Sequence, residues 1–168
     1  LNLMGYLLLA EKDYASCTLI FEKYILLAQQ NEDKEHEHIG LHQLAMIYRD
    51  QGDFHKALKL IEDEEKIVEE HFPNDNLKKA VNNYEQGYVR FKLNNLDEAL
   101  TFMNLSLEQS LETDDVISQA CSYRGLGEIY LALEDTELSN RHFKRAIELF
   151  ESVEEFEGIK EIEELINR

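Results

Sequence analysis

Tryptophan is absent from the 168 residues, proline occurs once, at position 73, and there are only seven glycines. So few helix breakers permit long uninterrupted helices over most of the chain. The two cysteines, Cys17 and Cys121, form no spacing motif. No disulfide framework follows from them, and free buried thiols in a reducing compartment are expected. Apolar runs such as Leu7 to Ala10 are only parts of a helix face, far short of the roughly 20 residues that span a bilayer. No signal peptide is visible, so a cytoplasmic location is expected. Basic residues are scarce: 17 Lys and Arg stand against 35 Asp and Glu, a formal net charge of −18. Such a chain repels phosphates and anionic membranes, so direct nucleic-acid binding and membrane binding are not expected of it.

Hydrophobic residues make up 43% of the chain, enough for the core of one compact domain or one short repeat array. The main signal is internal repetition. Four pairs of small residues stand out: Gly5 with Cys17, Ala45 with Ala57, Gly87 with Ala99, and Gly127 with Ser139. The members of each pair are 12 residues apart, and the first members recur at intervals of 40, 42 and 40. A small residue on each of two consecutive helices lets their backbones approach closely, so each pair reads as an antiparallel hairpin.

Asp13, Asp53, Asn95 and Asp135 lie four residues before the second small residue of each pair. Their side-chain oxygens suit the N-cap of the second helix. Four residues after the second small residue come Phe21, Ile61, Met103 and Phe143, on the same helix face. The turn before the cap has Gly52 and Asn94 in two repeats, which tolerate left-handed backbone. Lys12 and Glu134 occupy that place in the others and suit it less.

These residues resemble the tetratricopeptide repeat pattern, W-x2-L-G-x2-Y followed by A-x3-F. The match runs as Leu44-Ala45-x-x-Tyr48 with Ala57-x-x-x-Ile61, and as Leu126-Gly127-x-x-Tyr130 with Ser139-x-x-x-Phe143. Weaker copies are Met4-Gly5-x-x-Leu8 with Cys17-x-x-x-Phe21 and Gln86-Gly87-x-x-Arg90 with Ala99-x-x-x-Met103. The period near 40 exceeds the family's 34, and the pattern's Trp is missing. The resemblance implies an all-α fold: a right-handed superhelix of antiparallel helix hairpins, four of them plus a C-terminal capping helix.

The helix pairs are placed at about 1–11 with 14–30, 35–51 with 54–71, 76–93 with 96–112, and 115–133 with 136–152. A last helix at about 155–167 carries Phe156, Ile159, Ile162, Leu165 and Ile166 and suits the cap that a repeat array needs. The chain reads as a single repeat domain, with repeats at about 1–33, 34–75, 76–113 and 114–153. Its first residue is Leu inside a helical pattern, so a piece of a longer protein is expected.

First helices line the concave side of such arrays. Residues three before, one after and four after the first small residue share the face turned away from the partner helix. That set is Asn2, Tyr6 and Leu9; His42, Met46 and Arg49; Tyr84, Tyr88 and Phe91; and Arg124, Glu128 and Leu131. Aromatics and Arg are the types enriched at binding hot spots. The opposing reading is that the same residues pack against neighbouring hairpins.

His36-Glu37-His38 with His42 has the i, i+4 imidazole spacing of a metal site, but no further ligand is apparent. A solvated acidic helix start is the expectation, with neither metal nor cofactor. His55, His71 and His142 read as isolated surface residues. The runs Glu62-Asp63-Glu64-Glu65, Glu69-Glu70 and Glu154-Glu155 read as solvated helix faces. No phosphate loop, catalytic Ser, His and Asp set, or activated thiol can be named, so an enzyme is not expected.

The leading reading is a protein- or peptide-binding module. The long repeats and tyrosine-rich first helices resemble the sensing regions of Gram-positive peptide-regulated transcription regulators, which would make the partner a signalling peptide. The asparagine-lined groove of those receptors is not obvious here, and neither is the Lys and Asn carboxylate clamp of chaperone-tail binders. The alternative is a scaffold that forms homodimers through repeat edges and takes no small ligand.

Overall fold

The computed structural model describes residues 13–167. They form eight helices with no strand among them: α1 (Tyr14–Gln30), α2 (Lys34–Asp50), α3 (Phe54–His71), α4 (Asn76–Lys92), α5 (Leu96–Leu111), α6 (Val116–Ala132), α7 (Thr136–Ser152) and α8 (Phe156–Ile166). The sequence boundaries agree to within one residue at each end. The helix expected at 1–11 lies outside the described residues. The chain divides into two compact units, Leu1–Pro73 and Asn74–Arg168.

Helix starts are set by carboxylate or amide caps. Asp13, Asp53, Asn95 and Asp135 accept the backbone N–H three residues on, as the spacing predicts. Asp33, Asp75 and Asp115 do the same for α2, α4 and α6. Each of these three caps lies 12 residues before the first small residue of its pair, a recurrence the motif itself does not include. Only α8, which starts after Glu155, lacks a side-chain cap hydrogen bond.

Helix ends repeat one construction. Glu32, Gly52, Asn94, Glu134 and Glu154 sit at φ of 54°, 81°, 61°, 62° and 58°. The next residue's N–H then reaches back to a carbonyl of the last helical turn: Asp53 to Tyr48 at 2.8 Å, Asn95 to Arg90 at 2.9 Å, Asp135 to Tyr130 at 3.0 Å. Gly52 adopts this shape without strain. Glu134 adopts it too, because the turn pairs a helix-end carbonyl and delivers Asp135 to its cap.

Several caps make the fold acid-sensitive. Asp13 is held below the ordinary carboxylate range by hydrogen bonds from the Ser16 side chain and amide. The His36 amide does the same for Asp33, and the Lys56 side chain and amide for Asp53. A carboxylate with a depressed folded pKa stabilises the fold above its unfolded value, about 3.9 for Asp. That contribution is lost as pH falls through the lower folded value. Acidification from pH 7 toward the sequence pI of about 4.6 first relieves the self-repulsion of a −18 chain. The melting temperature, followed by circular dichroism, is therefore expected to hold or rise down to about pH 5 and to fall below about pH 4.

In the first unit α1 packs on α2 and α2 on α3. The core sets Cys17, Phe21 and Ile25 of α1 against Leu41, Leu44 and Ile47 of α2. Cys17 is fully buried, as its place in the repeat predicts, and Cys121 is partly buried; neither forms a disulfide. In the second unit each helix from α4 to α8 packs on the next, and α4 also touches α6, as α6 touches α8. Met103 and Leu126 belong to one cluster of this core, and Phe143, Phe150 and Ile162 to another.

The small-residue pairs make the close approaches that their spacing implies. The Ser139 hydroxyl donates to the Gly127 carbonyl at 2.9 Å. A Cβ at Gly87 would lie 3.1 Å from the Met103 backbone nitrogen and 3.2 Å from the Ala99 carbonyl oxygen. The final helix α8 closes the stack through fully buried Ile162. Phe156 and Ile166 at its two ends remain 69% and 51% exposed.

Candidate functional site

The first helices of the two hairpins in the second unit, α4 and α6, carry half of the expected binding residues. Spacing of i, i+4 stacks the Tyr84 and Tyr88 rings, with centroids 6.3 Å apart and planes 18° from parallel. The Lys92 ammonium lies 5.0 Å from the Tyr88 ring and 5.4 Å from the Phe91 ring, within cation–π range. All three aromatics pack partly against the core that includes Met103 and Leu126. They therefore pack between hairpins, as the opposing reading has it, while each keeps some exposed surface.

Arg124 joins three helices. Its Nη2 donates to the Tyr84 hydroxyl oxygen at 2.8 Å, its Nη1 donates to the Glu161 carboxylate of α8, and its Nε lies 3.8 Å from a Glu128 carboxylate oxygen. The Nε itself is buried and makes no hydrogen bond. Arg124 and Glu128 side chains are only 16% and 11% exposed. Burial pushes the Tyr84 hydroxyl pKa above its ordinary value, although the Arg124 charge works against that. The phenol thus stays protonated, its oxygen accepting from Arg124. Leu131 is 41% exposed at the end of this row.

In the first unit, α2 carries His42, Met46 and Arg49, all partly buried. Arg49 bonds the neighbouring Asp50 through Nε at 3.2 Å and Nη2 at 3.1 Å. His42 is turned to an acidic partner: its Nδ1 lies 3.4 Å from one oxygen of Glu64, while His38 Nδ1 lies 3.1 Å from the other. Tyr6, with Asn2 and Leu9, lies outside the described residues.

Glu64 corrects the reading of residues 62–65 as a solvated face. It is 1% exposed. The reason is helical period: Ala57, Ile61, Glu64 and Val68 form the buried stripe of α3, and Glu64 stands seven residues after the small Ala57. Equivalent positions hold Tyr24, Ser106 and Ala146. Ser106 shows the same contact in polar miniature, donating to the Ala80 carbonyl at 2.8 Å. Extending the repeat register by one more turn would have exposed this from the sequence.

Two further readings change. The start of α2 is not wholly solvated, because Glu37 is buried and bonded to Lys34 at 2.7 Å and Gln29 at 2.9 Å. His142 is half-buried rather than an isolated surface residue, its ring stacked on Tyr130 at 5.3 Å. Among the described residues no group of three or more His, Cys, Asp and Glu side chains is placed to hold a metal ion. No described helix is long and apolar enough to cross a membrane.

Two family models match the chain, both described as tetratricopeptide repeat, one over residues 76–152 and one over residues 40–63. No curated protein matches it. Among solved structures it is similar to BtubC (BKLC) from P. vanneervenii, with 17% identity, a TM-score of 0.77, and coverage of 99% of this chain and 79% of that one. It is also similar to the nearly identical TPR-like repeats of a candidate kinesin light chain from Podosopora anserina, with 14% identity, a TM-score of 0.69, and coverage of 89% and 73%. At these identities the likeness shows the fold alone, a tetratricopeptide-type stack of helix hairpins.

Proposed function

We propose that this chain, which belongs to the tetratricopeptide repeat family, is a non-catalytic module that holds an extended peptide or protein segment against the first helices of its hairpins. The observation that carries this reading is the Tyr84, Tyr88 and Arg124 cluster of α4 and α6. It combines stacked rings, a guanidinium and a phenolic hydroxyl on neighbouring first helices. Extended backbone offers carbonyls to such donors, and side chains of the ligand cover the rings. His42, Met46 and Arg49 would serve the same role on α2. Tyr6, outside the described residues, is proposed for that role too. As the sensor part of a bacterial regulator, the module would take a signalling peptide as this segment.

The test is affinity capture with the intact protein as bait. Tyr84 and Arg124 are partly buried, so hydroxyl and charge are removed with little loss of packing: Tyr84→Phe, Tyr88→Ala and Arg124→Gln together. Hot-spot losses of about 2 kcal/mol correspond to roughly 30-fold weaker retention of specific partners. Equal capture by wild type and variant, with both folded by circular dichroism, would rule this surface out.

A second reading, self-association, rests on Phe156 and Ile166, the exposed apolar ends of α8. Sedimentation equilibrium decides it: a monomer at about 100 μM, well above the range of stable homodimers, would remove it.

A further inference from the structure

A cleft of about 580 Å³ lies beside α7, and Arg141, Lys144, Arg145 and Glu148 of that helix line it. Its lining also includes Leu107, Tyr123 and His142. The volume falls in the range of ligand sites, about 300–1,000 Å³. None of the charged residues belongs to the α4 and α6 surface described above.

The charge pattern is unusual for this chain. Positions 141, 144, 145 and 148 fall on one helical face by their i, i+3 and i, i+4 spacing. Most Lys and Arg side chains elsewhere sit beside a carboxylate. Arg145 is bonded to Glu148 at 3.0 Å, while Arg141 and Lys144 have no carboxylate partner among the described residues. The cleft thus holds three permanent cations and one carboxylate, although the whole chain carries −18. At physiological ionic strength charges beyond about 8 Å are screened, so the local excess governs what approaches.

The apolar part of the lining is equally defined. The His142 ring stacks on Tyr130 with planes 4° apart and tilts against Tyr123 at 5.9 Å. Burial and the Arg141 charge lower the His142 pKa, which favours a neutral ring at neutral pH. Tyr123 and Leu107 add apolar surface beside the cations.

We propose that this cleft is a second docking site, taking an acidic peptide segment of a partner protein in which carboxylates flank an apolar side chain. Arg141 and Lys144 receive the carboxylates, and the apolar side chain lies against Leu107, Tyr123 and His142. The Arg145–Glu148 pair already shows a carboxylate held there. A nucleic acid strand fits less well, because three cations neutralise few phosphates and the remaining phosphates would face an acidic chain.

The test uses a fluorescein-labelled peptide of alternating Glu pairs and Leu, about eight residues long, and its Gln counterpart. Fluorescence anisotropy is read with the whole chain at neutral pH and about 0.1 M salt. Wild type is expected to bind the Glu peptide at least about tenfold tighter than the Gln peptide. The exposed double variant Arg141→Glu and Lys144→Glu is expected to lose at least about tenfold, and Arg141→Gln with Lys144→Gln a smaller part. The variant altered at Tyr84, Tyr88 and Arg124 should bind the peptide as wild type does, which separates this site from the first-helix surface. Equal binding of both peptides, undiminished binding by the charge-reversed variant, or loss of binding only in the first-helix variant overturns the proposal. So does binding of a single-stranded RNA oligomer or inorganic phosphate that the Glu peptide cannot displace.

Discussion

Glu64→Ala is expected to lower the unfolding free energy by about 3–5 kcal/mol, from two lost hydrogen bonds to a buried carboxylate together with the cavity left behind. Glu64 is 1% exposed and faces two imidazole nitrogens at 3.1 and 3.4 Å. His38 and His42 are themselves only 13% and 19% exposed. Removing the carboxylate leaves both Nδ1–H groups short of an acceptor in a place that water reaches poorly. It also leaves a cavity on the stripe formed with Ala57, Ile61 and Val68.

Burial alone would raise the Glu64 pKa, but hydrogen bonds and charge from His38 and His42 outweigh it and hold the group below its ordinary value. The stabilisation is therefore present above the unfolded value of about 4.3 and is lost as pH falls through the lower folded one. Glu64→Gln keeps one oxygen acceptor and the volume, so its loss should be about 1–2 kcal/mol. Urea denaturation at pH 7 measures both. A Glu64→Ala loss under about 1 kcal/mol would show that the pair is not buried as described.

Phe143→Ala is expected to lose about 3–5 kcal/mol, as for a large aromatic taken from a close-packed core. Phe143 is 1% exposed and belongs to the cluster with Ala120, Ala146, Phe150 and Ile162. Its ring also sets the hairpin register, because a Cβ placed on Gly127 would come within 2.5 Å of ring carbon Cδ1 and 2.6 Å of Cε1. Gly127→Ala alone should therefore cost about 1–3 kcal/mol by overpacking. Phe143→Leu should relieve part of that cost, so the double variant loses less than the sum of the single losses. Strict additivity in denaturant unfolding would mean that ring and glycine do not meet.

How far the site was legible follows from which interactions are local. Asp13, Asp53, Asn95 and Asp135 could be read as caps because a cap bonds an amide three residues away. Asp33, Asp75 and Asp115 obey the same chemistry and stand at a constant 12 residues before Ala45, Gly87 and Gly127, so the same register could have shown them. Tyr84 with Tyr88 is an i, i+4 pair and was legible as one. The Arg124 contacts were not, since its partners lie 40 and 37 residues away at Tyr84 and Glu161.

Local physical chemistry determined the helices, their caps and the pairing of small residues within each hairpin. Helical period and capping act within a few residues, and the repeat printed them several times. Only the tertiary structure decided what the buried side chains of those helices face. Glu64 turned from a solvated carboxylate into a buried partner of two histidines, because the azimuth of α3 places it against α2. His142 likewise became part of a cleft wall, because Tyr123 and Tyr130 of α6 lie beside it. Burial depends on what lies across from a residue, and no short stretch of sequence carries that information.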